Sequence, residues 1–146
     1  MILKTGLAIT VCALSVVLLT GSAGFAETLN VKATLAPSTE VPPNTSTGTG
    51  ALSGTYDTAT KTLTYTVTYS GLTGPASMAH FHGPASVGKN APVEIPIKGD
   101  LASPIKGTAT LTEDQAKNLL DGETYFNIHT AANKGGEVRG QISTVK

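Results

Sequence analysis

Beyond Cys12 the sequence has no cysteine. Disulfides, thiolate metal ligands and a cysteine nucleophile are therefore excluded from everything that follows that residue. No stretch concentrates lysine or arginine; the ten basic side chains are matched by ten acidic ones, so nothing in the charge pattern supports a nucleic-acid surface. No serine sits in a G-x-S-x-G elbow, and the serines are scattered in loops, which leaves a hydrolytic triad without support. No apolar run reaches the ~20 residues a membrane-spanning helix needs. A basic amphipathic helix that would lie on a membrane is also missing. Neither a fixed-period repeat nor a low-complexity tract interrupts the chain.

What is present begins with a leader-like segment. Lys4 precedes an apolar run from Leu7 to Leu19, and Gly24-Phe25-Ala26 places small residues at the two positions a signal peptidase inspects. This pattern predicts a signal peptide over residues 1–26, cleaved between Ala26 and Glu27, and hence a periplasmic or secreted protein with no membrane span after cleavage. Cys12 lies too far upstream, in the wrong context, to be a lipoprotein cysteine. Residues 27–146 then form one domain with room for one modest core. With Lys4 gone, nine basic side chains face ten acidic ones, a formal charge near −1.

From Thr28 onward short β-patterns alternate with turn signals. Leu29, Val31, Ala33 and Leu35 alternate with Asn30, Lys32 and Thr34, the period of a half-buried strand. Pro37 to Thr49 reads as a solvated loop around Pro42-Pro43; its Asn44-Thr45-Ser46 matches a glycosylation acceptor, which matters only in a eukaryotic secretory pathway. Residues 50–56 and 63–69 form two strands joined by 57–61, the second with Leu63, Tyr65, Val67 and Tyr69 on one face. Further strands are predicted over 78–82, over 93–97 as an edge strand between prolines, and over 105–111. Thr112-Glu113-Asp114-Gln115 is a capping box that opens a short helix closed at Gly122. Strands at 123–130 and 137–143 end the chain. Many short strands, one connector helix and 16 glycines predict an all-β sandwich or flattened barrel.

The three histidines fall on two of these strands. His80 and His82 are two apart on an extended segment, so both rings project from one face while Phe81 points the other way, into the core. Tyr125, Asn127 and His129 share a face of the later strand, opposite Phe126 and Ile128. Cross-strand neighbours share a face. If Ile128 pairs with Val138, then Asn127 lies opposite Arg139, Tyr125 opposite Gln141, and His129 opposite Glu137; a slip of two residues would instead set His129 opposite Arg139. Either register gathers Asn127, Glu137 and Arg139 on one polar face, able to orient an imidazole through its second nitrogen. Three neutral nitrogens with an open position suit zinc or copper. Met78 shares the face of His80 and His82, and a thioether favours Cu(I).

Two stretches carry a family resemblance: Ala79-His80-Phe81-His82-Gly83-Pro84-Ala85, and Tyr125-Phe126-Asn127-Ile128-His129-Thr130 continued by Gly136-Glu137-Val138-Arg139-Gly140-Gln141-Ile142. They resemble the CHRD domain, the module named after chordin and found alone in many bacterial exported proteins. The likeness spans nearly all of residues 27–146 and includes the start and end of the helix. It implies an immunoglobulin-like or superoxide-dismutase-like β-structure and, for chordin-like extracellular proteins, an accessory or interaction role; it implies no established reaction. Many relatives place another histidine where this chain has Asn133, so a fourth imidazole ligand is missing here.

Three functions are weighed against these residues. One is a binding protein that holds copper or zinc through His80, His82 and His129, with Asn127, Glu137 and Arg139 in support. Another is a metal-free structural module, or one that binds an extracellular protein partner, in which the histidines hydrogen-bond across the sheet. The third, a superoxide-dismutase-like enzyme, would need a two-metal site that three histidines cannot supply and a disulfide this chain lacks. A blue-copper site is excluded by the missing thiolate.

Overall fold

The computed structural model describes residues 26–146. The expected leader, apart from Ala26, lies outside the described residues. Among these, no helix is long and apolar enough to cross a membrane.

The strands are β1 (Thr28–Leu35), β2 (Thr49–Asp57), β3 (Thr62–Ser70), β4 (Ala76–His82), β5 (Val93–Pro96), β6 (Ile105–Thr110), β7 (Tyr125–Thr130), β8 (Val138–Gln141) and β9 (Ser143–Val145), with one helix, α1 (Glu113–Leu120). They form two antiparallel sheets, five-stranded in the order β6-β3-β2-β1-β9 and four-stranded in the order β5-β4-β7-β8. The result is a sandwich rather than a closed barrel.

Alternation drives the packing. Every second residue of β1 is buried, and Leu63, Tyr65 and Val67 of β3 point inward from the same sheet. Across the gap, the fully buried Phe81 of β4 meets Tyr65 edge-to-face at 5.1 Å and Phe126 of β7 at 4.9 Å. Such pairs add about 1 kcal/mol each beyond the area they bury. Helix α1 carries the chain from one sheet to the other. Its Thr112–Gln115 capping box is reciprocal, Ala116 and Leu119 are its buried residues, and Gly122 ends it with a φ of +73° that suits a residue without a Cβ.

Two features depart from the sequence expectation. The last strand is not continuous: after Gln141 the chain crosses sheets, with Ile142 buried and its N–H donating to Thr124, and β9 pairs with β1 through Asn30↔Val145 and Lys32↔Ser143. The second departure concerns the loop around Pro42-Pro43, which is not merely solvated. After a 3-10 turn at Pro37–Thr39, Asn44 Nδ2 donates to the carbonyls of Gly136 and Glu137, and Ser46 Oγ donates to the Glu137 carboxylate at 2.5 Å.

Glu137 is fully buried and bonded to hydroxyl and amide donors. Thr73 reaches it through both N–H and Oγ1 at 2.7 Å, and Thr130 through its hydroxyl. Burial alone would push this carboxyl up, but the donors from Ser46, Thr130 and Thr73 pull it down to about 2. One carboxylate thus ties three segments, around residues 46, 73 and 130, to the start of β8. The depressed value makes its stabilisation complete above the ordinary carboxylate pKa of 4.5 and progressively lost as pH falls toward 2. In urea denaturation Glu137→Gln, whose amide presents N–H groups to existing donors, is expected to lose roughly 2–3 kcal/mol at pH 7. The variant should also lack this acid-dependent decline; an unchanged midpoint would show that the carboxylate does not hold the loops.

Candidate metal centre

The centre is built on the two inner strands of the four-stranded sheet. Antiparallel pairing of β4 with β7 sets His80 opposite Asn127, His82 opposite Tyr125 and Met78 opposite His129. His129 is therefore the diagonal neighbour of His80 on the shared outer face, a placement that brings long side chains within reach. All three imidazoles converge, each offering one nitrogen, with these atoms within 4.8 Å of one another. His80 Nδ1 lies 3.1 Å from His129 Nε2. This short contact places one shared proton between two lone pairs, where a cation could take the proton's place. A tetrahedral zinc with bonds of ~2.0–2.1 Å requires nitrogen separations of about 3.3 Å, so one pair already has the needed spacing and the third ring has to close in.

Backbone carbonyls orient two of the rings. His129 Nδ1 donates to the carbonyl of Lys134 at 2.9 Å, leaving Nε2 with the lone pair that faces His80. His82 lies between two oxygens: Nδ1 is 3.0 Å from the Ala91 carbonyl and Nε2 is 3.0 Å from Asn127 Oδ1. Whichever nitrogen of His82 takes an ion, the other keeps an acceptor that holds the ring. The His82 ring also stacks on Tyr125, at 4.7 Å and 4° from parallel, and the Arg139 guanidinium covers Tyr125 at 3.4 Å from its centroid.

The expected supporting residues therefore take different places. Asn127 contacts His82 directly. Arg139 has the expected register, opposite Asn127, but acts through Tyr125; its guanidinium donates to the Lys89 carbonyl and to Asn90 Oδ1, fixing the 83–92 loop that supplies Ala91. Glu137 shares the neighbourhood, yet its carboxylate serves Ser46, Thr73 and Thr130, and the Nδ1 of His129 turns to Lys134. Asn133 shapes the same loop: its carbonyl accepts from Thr130 and Gly136, and its amide donates to Thr73. Met78 stands at the rim, 45% exposed.

Three contributors had no signature in the sequence. The carbonyls of Ala91 and Lys134 are main-chain atoms, which any residue supplies. The third, Glu40, lies in the proline-rich loop yet is 4% exposed. Burial pushes its carboxyl up to about 7, against the pull of Arg139, the Asn127 side chain and the Val41 N–H.

Burial and the two neighbouring rings hold His80 below the ordinary histidine value of 6.5. For His82 burial again dominates, outweighing its bonds to Ala91 and Asn127. Both rings are neutral at pH 7, the form that ligates metals. A depressed histidine contributes full stability above 6.5 and loses it as pH falls through the folded-state values, because the unfolded chain takes up protons first. As pH falls below 6.5 the raised carboxyl of Glu40 acts in the opposite direction in both proteins, so the test is the difference between them: the metal-free wild type is expected to lose more of its urea midpoint than His82→Ala does, and identical pH profiles would contradict a buried, neutral His82.

The family model of the CHRD domain matches residues 31–142, which contain every residue of this centre. No curated protein and no solved structure matches the chain. The match covers most of the sequence, and with it both histidine motifs and the whole sandwich: this chain belongs to the CHRD-domain family.

Proposed function

We propose that this chain is an exported binding protein that holds a single copper or zinc ion through His80, His82 and His129. The observation that carries the reading is the convergence of three imidazoles, from segments far apart in sequence, on two adjacent inner strands. Imidazole nitrogens suit both metals, and three protein ligands leave a position for water or a further ligand, as in open rather than closed zinc sites. Met78 at the rim adds a thioether for Cu(I). Export rests on Lys4, the Leu7–Leu19 run and Gly24-Phe25-Ala26.

A second reading has its own support. His129 and His82 already have hydrogen-bond partners in Lys134, Ala91 and Asn127, as a metal-free interaction module would require.

Elemental analysis after exposure to Cu²⁺ or Zn²⁺ and desalting separates the two. One equivalent is expected, lost in His80→Ala and in His129→Ala; variants that keep wild-type metal would refute the triad. At 100 times the dissociation constant the ion should stabilise the fold by about 2.7 kcal/mol, and the absence of any thermal shift at saturation would favour the interaction module. Met78→Leu is expected to weaken Cu(I) retention and leave Zn²⁺ retention unchanged; equal effects on both would remove Met78 from the site.

A further inference from the structure

Asn127 stands in the middle of the histidine face. Antiparallel pairing sets it directly opposite His80, with His82 as a diagonal neighbour on β4 and His129 two residues along its own strand. The four side chains share one face of the sheet, and Asn127 is next to each imidazole. At 3% exposed it is buried more deeply than His129 or His82, and His80 is only half-buried. The amide is thus the floor of the cluster.

In its neutral form an imidazole carries one N–H and one lone pair. The Lys134 carbonyl can only accept, so the His129 proton sits on Nδ1 and the lone pair on Nε2, where His80 Nδ1 can donate to it. His82 has an oxygen beside each nitrogen but only one proton. The Ala91 carbonyl is an acceptor in any orientation, whereas the Asn127 amide can present either end, so the proton belongs on Nδ1. The lone pair on His82 Nε2 then faces Asn127 Oδ1 at 3.0 Å, acceptor against acceptor. Such a pair is relieved in one of two ways: the amide turns its NH₂ to the ring, or a cation enters and both atoms bind it.

We propose that Asn127 is the fourth ligand of the centre, its Oδ1 binding the same ion as His80 Nδ1, His82 Nε2 and His129 Nε2 and favouring a divalent ion over Cu(I).

The distances outline a cage of four atoms. His80 Nδ1 and His129 Nε2 are 3.1 Å apart, and His82 Nε2 and Asn127 Oδ1 are 3.0 Å apart. These two pairs share no atom, so they correspond to opposite edges of a tetrahedron, whose edges measure about 3.3 Å around a zinc ion with bonds of ~2.0–2.1 Å. One nitrogen from each ring lies within 4.8 Å of the other two, so the cage closes by drawing the two pairs together. Each ring that binds through Nε2 keeps its Nδ1–H on a carbonyl, and His80 frees Nδ1 by carrying its proton on Nε2. The donor set also sorts the metals. An amide oxygen is a hard, neutral ligand, suited beside imidazole to Zn²⁺ or Cu²⁺, whereas Cu(I) prefers sulfur. The floor of the site therefore selects for a divalent ion, in opposition to the thioether of Met78 at the rim.

This inference rests on the metal-binding reading, and the test separates the two. Zn²⁺ and Cu(I) affinities are measured for the wild-type protein and for Asn127→Leu, whose side chain keeps the branched outline and offers no donor atom. Zn²⁺ should bind the variant at least ~10-fold more weakly, the lower end of the loss expected when a group that merely orients a ligand is removed, while Cu(I) affinity stays unchanged. Equal Zn²⁺ affinity in the two proteins overturns the fourth ligand and leaves the triad intact. Equal losses for both ions mean that Asn127 only steers the His82 ring, and overturn it as well. A wild type that takes up no Zn²⁺ removes both readings. A crystal structure of the zinc-loaded wild type decides without any variant: Oδ1 should lie ~2.0–2.2 Å from the ion, and a water in the fourth place, with the amide still against His82, overturns the proposal.

Discussion

The site depends on where one side chain points. Phe81, held edge-to-face between Tyr65 of the opposite sheet and Phe126 of the adjacent strand, fixes the pleat of β4. Because side chains alternate along a strand, anchoring Phe81 inside sends His80 and His82 outside, and anchoring Phe126 and Ile128 does the same for Asn127 and His129. A slip of one residue would bury two imidazoles in an apolar core and expose the phenylalanine. The aromatic contact and the histidine cluster are thus two sides of one register.

That outer face is not bare. All six residues of β7 are buried, because the 83–92 loop and the segment around residues 37–48 lie over the sheet. Each is fastened by a polar group that is itself enclosed: Arg139 holds the first through Lys89 and Asn90, Glu137 the second through Ser46. The loops are also joined, Asn90 donating to the Val41 carbonyl. The imidazoles are thereby ordered when the domain folds rather than when a ligand arrives, which lowers the entropic cost of binding. Desolvation by the same loops keeps His80 and His82 neutral.

Much of this was legible in the sequence because it follows from local rules. Alternation located the strands within a residue or two over most of the chain, the Thr112–Gln115 pattern located the helix, and of the two registers the sequence left open for β7 on β8 the structure has the one that matches Ile128 with Val138. That register in turn placed Asn127 opposite Arg139. What local rules could not reach was anything decided by a loop folding back: the burial of Glu40, the turn of Glu137 toward hydroxyls instead of His129, and the carbonyls of Ala91 and Lys134. The break at Ile142 was hidden for a related reason, since the alternation of Val138, Gly140 and Ile142 reads the same whether or not the chain changes sheets between them.

That sheet change has a consequence for how the domain can be connected. By returning to β1, the last strand sets the two ends of the folded unit side by side, with Lys146 Nζ 3.0 Å from a carboxylate oxygen of Glu27. Both ends lie on the β1-β9 side of the five-stranded sheet, whereas the histidines stand on the other sheet. A unit with adjacent entry and exit can be spliced into a host polypeptide, or strung in series, at little topological cost. In each copy of such a string the imidazoles would lie on the sheet that does not carry the chain ends.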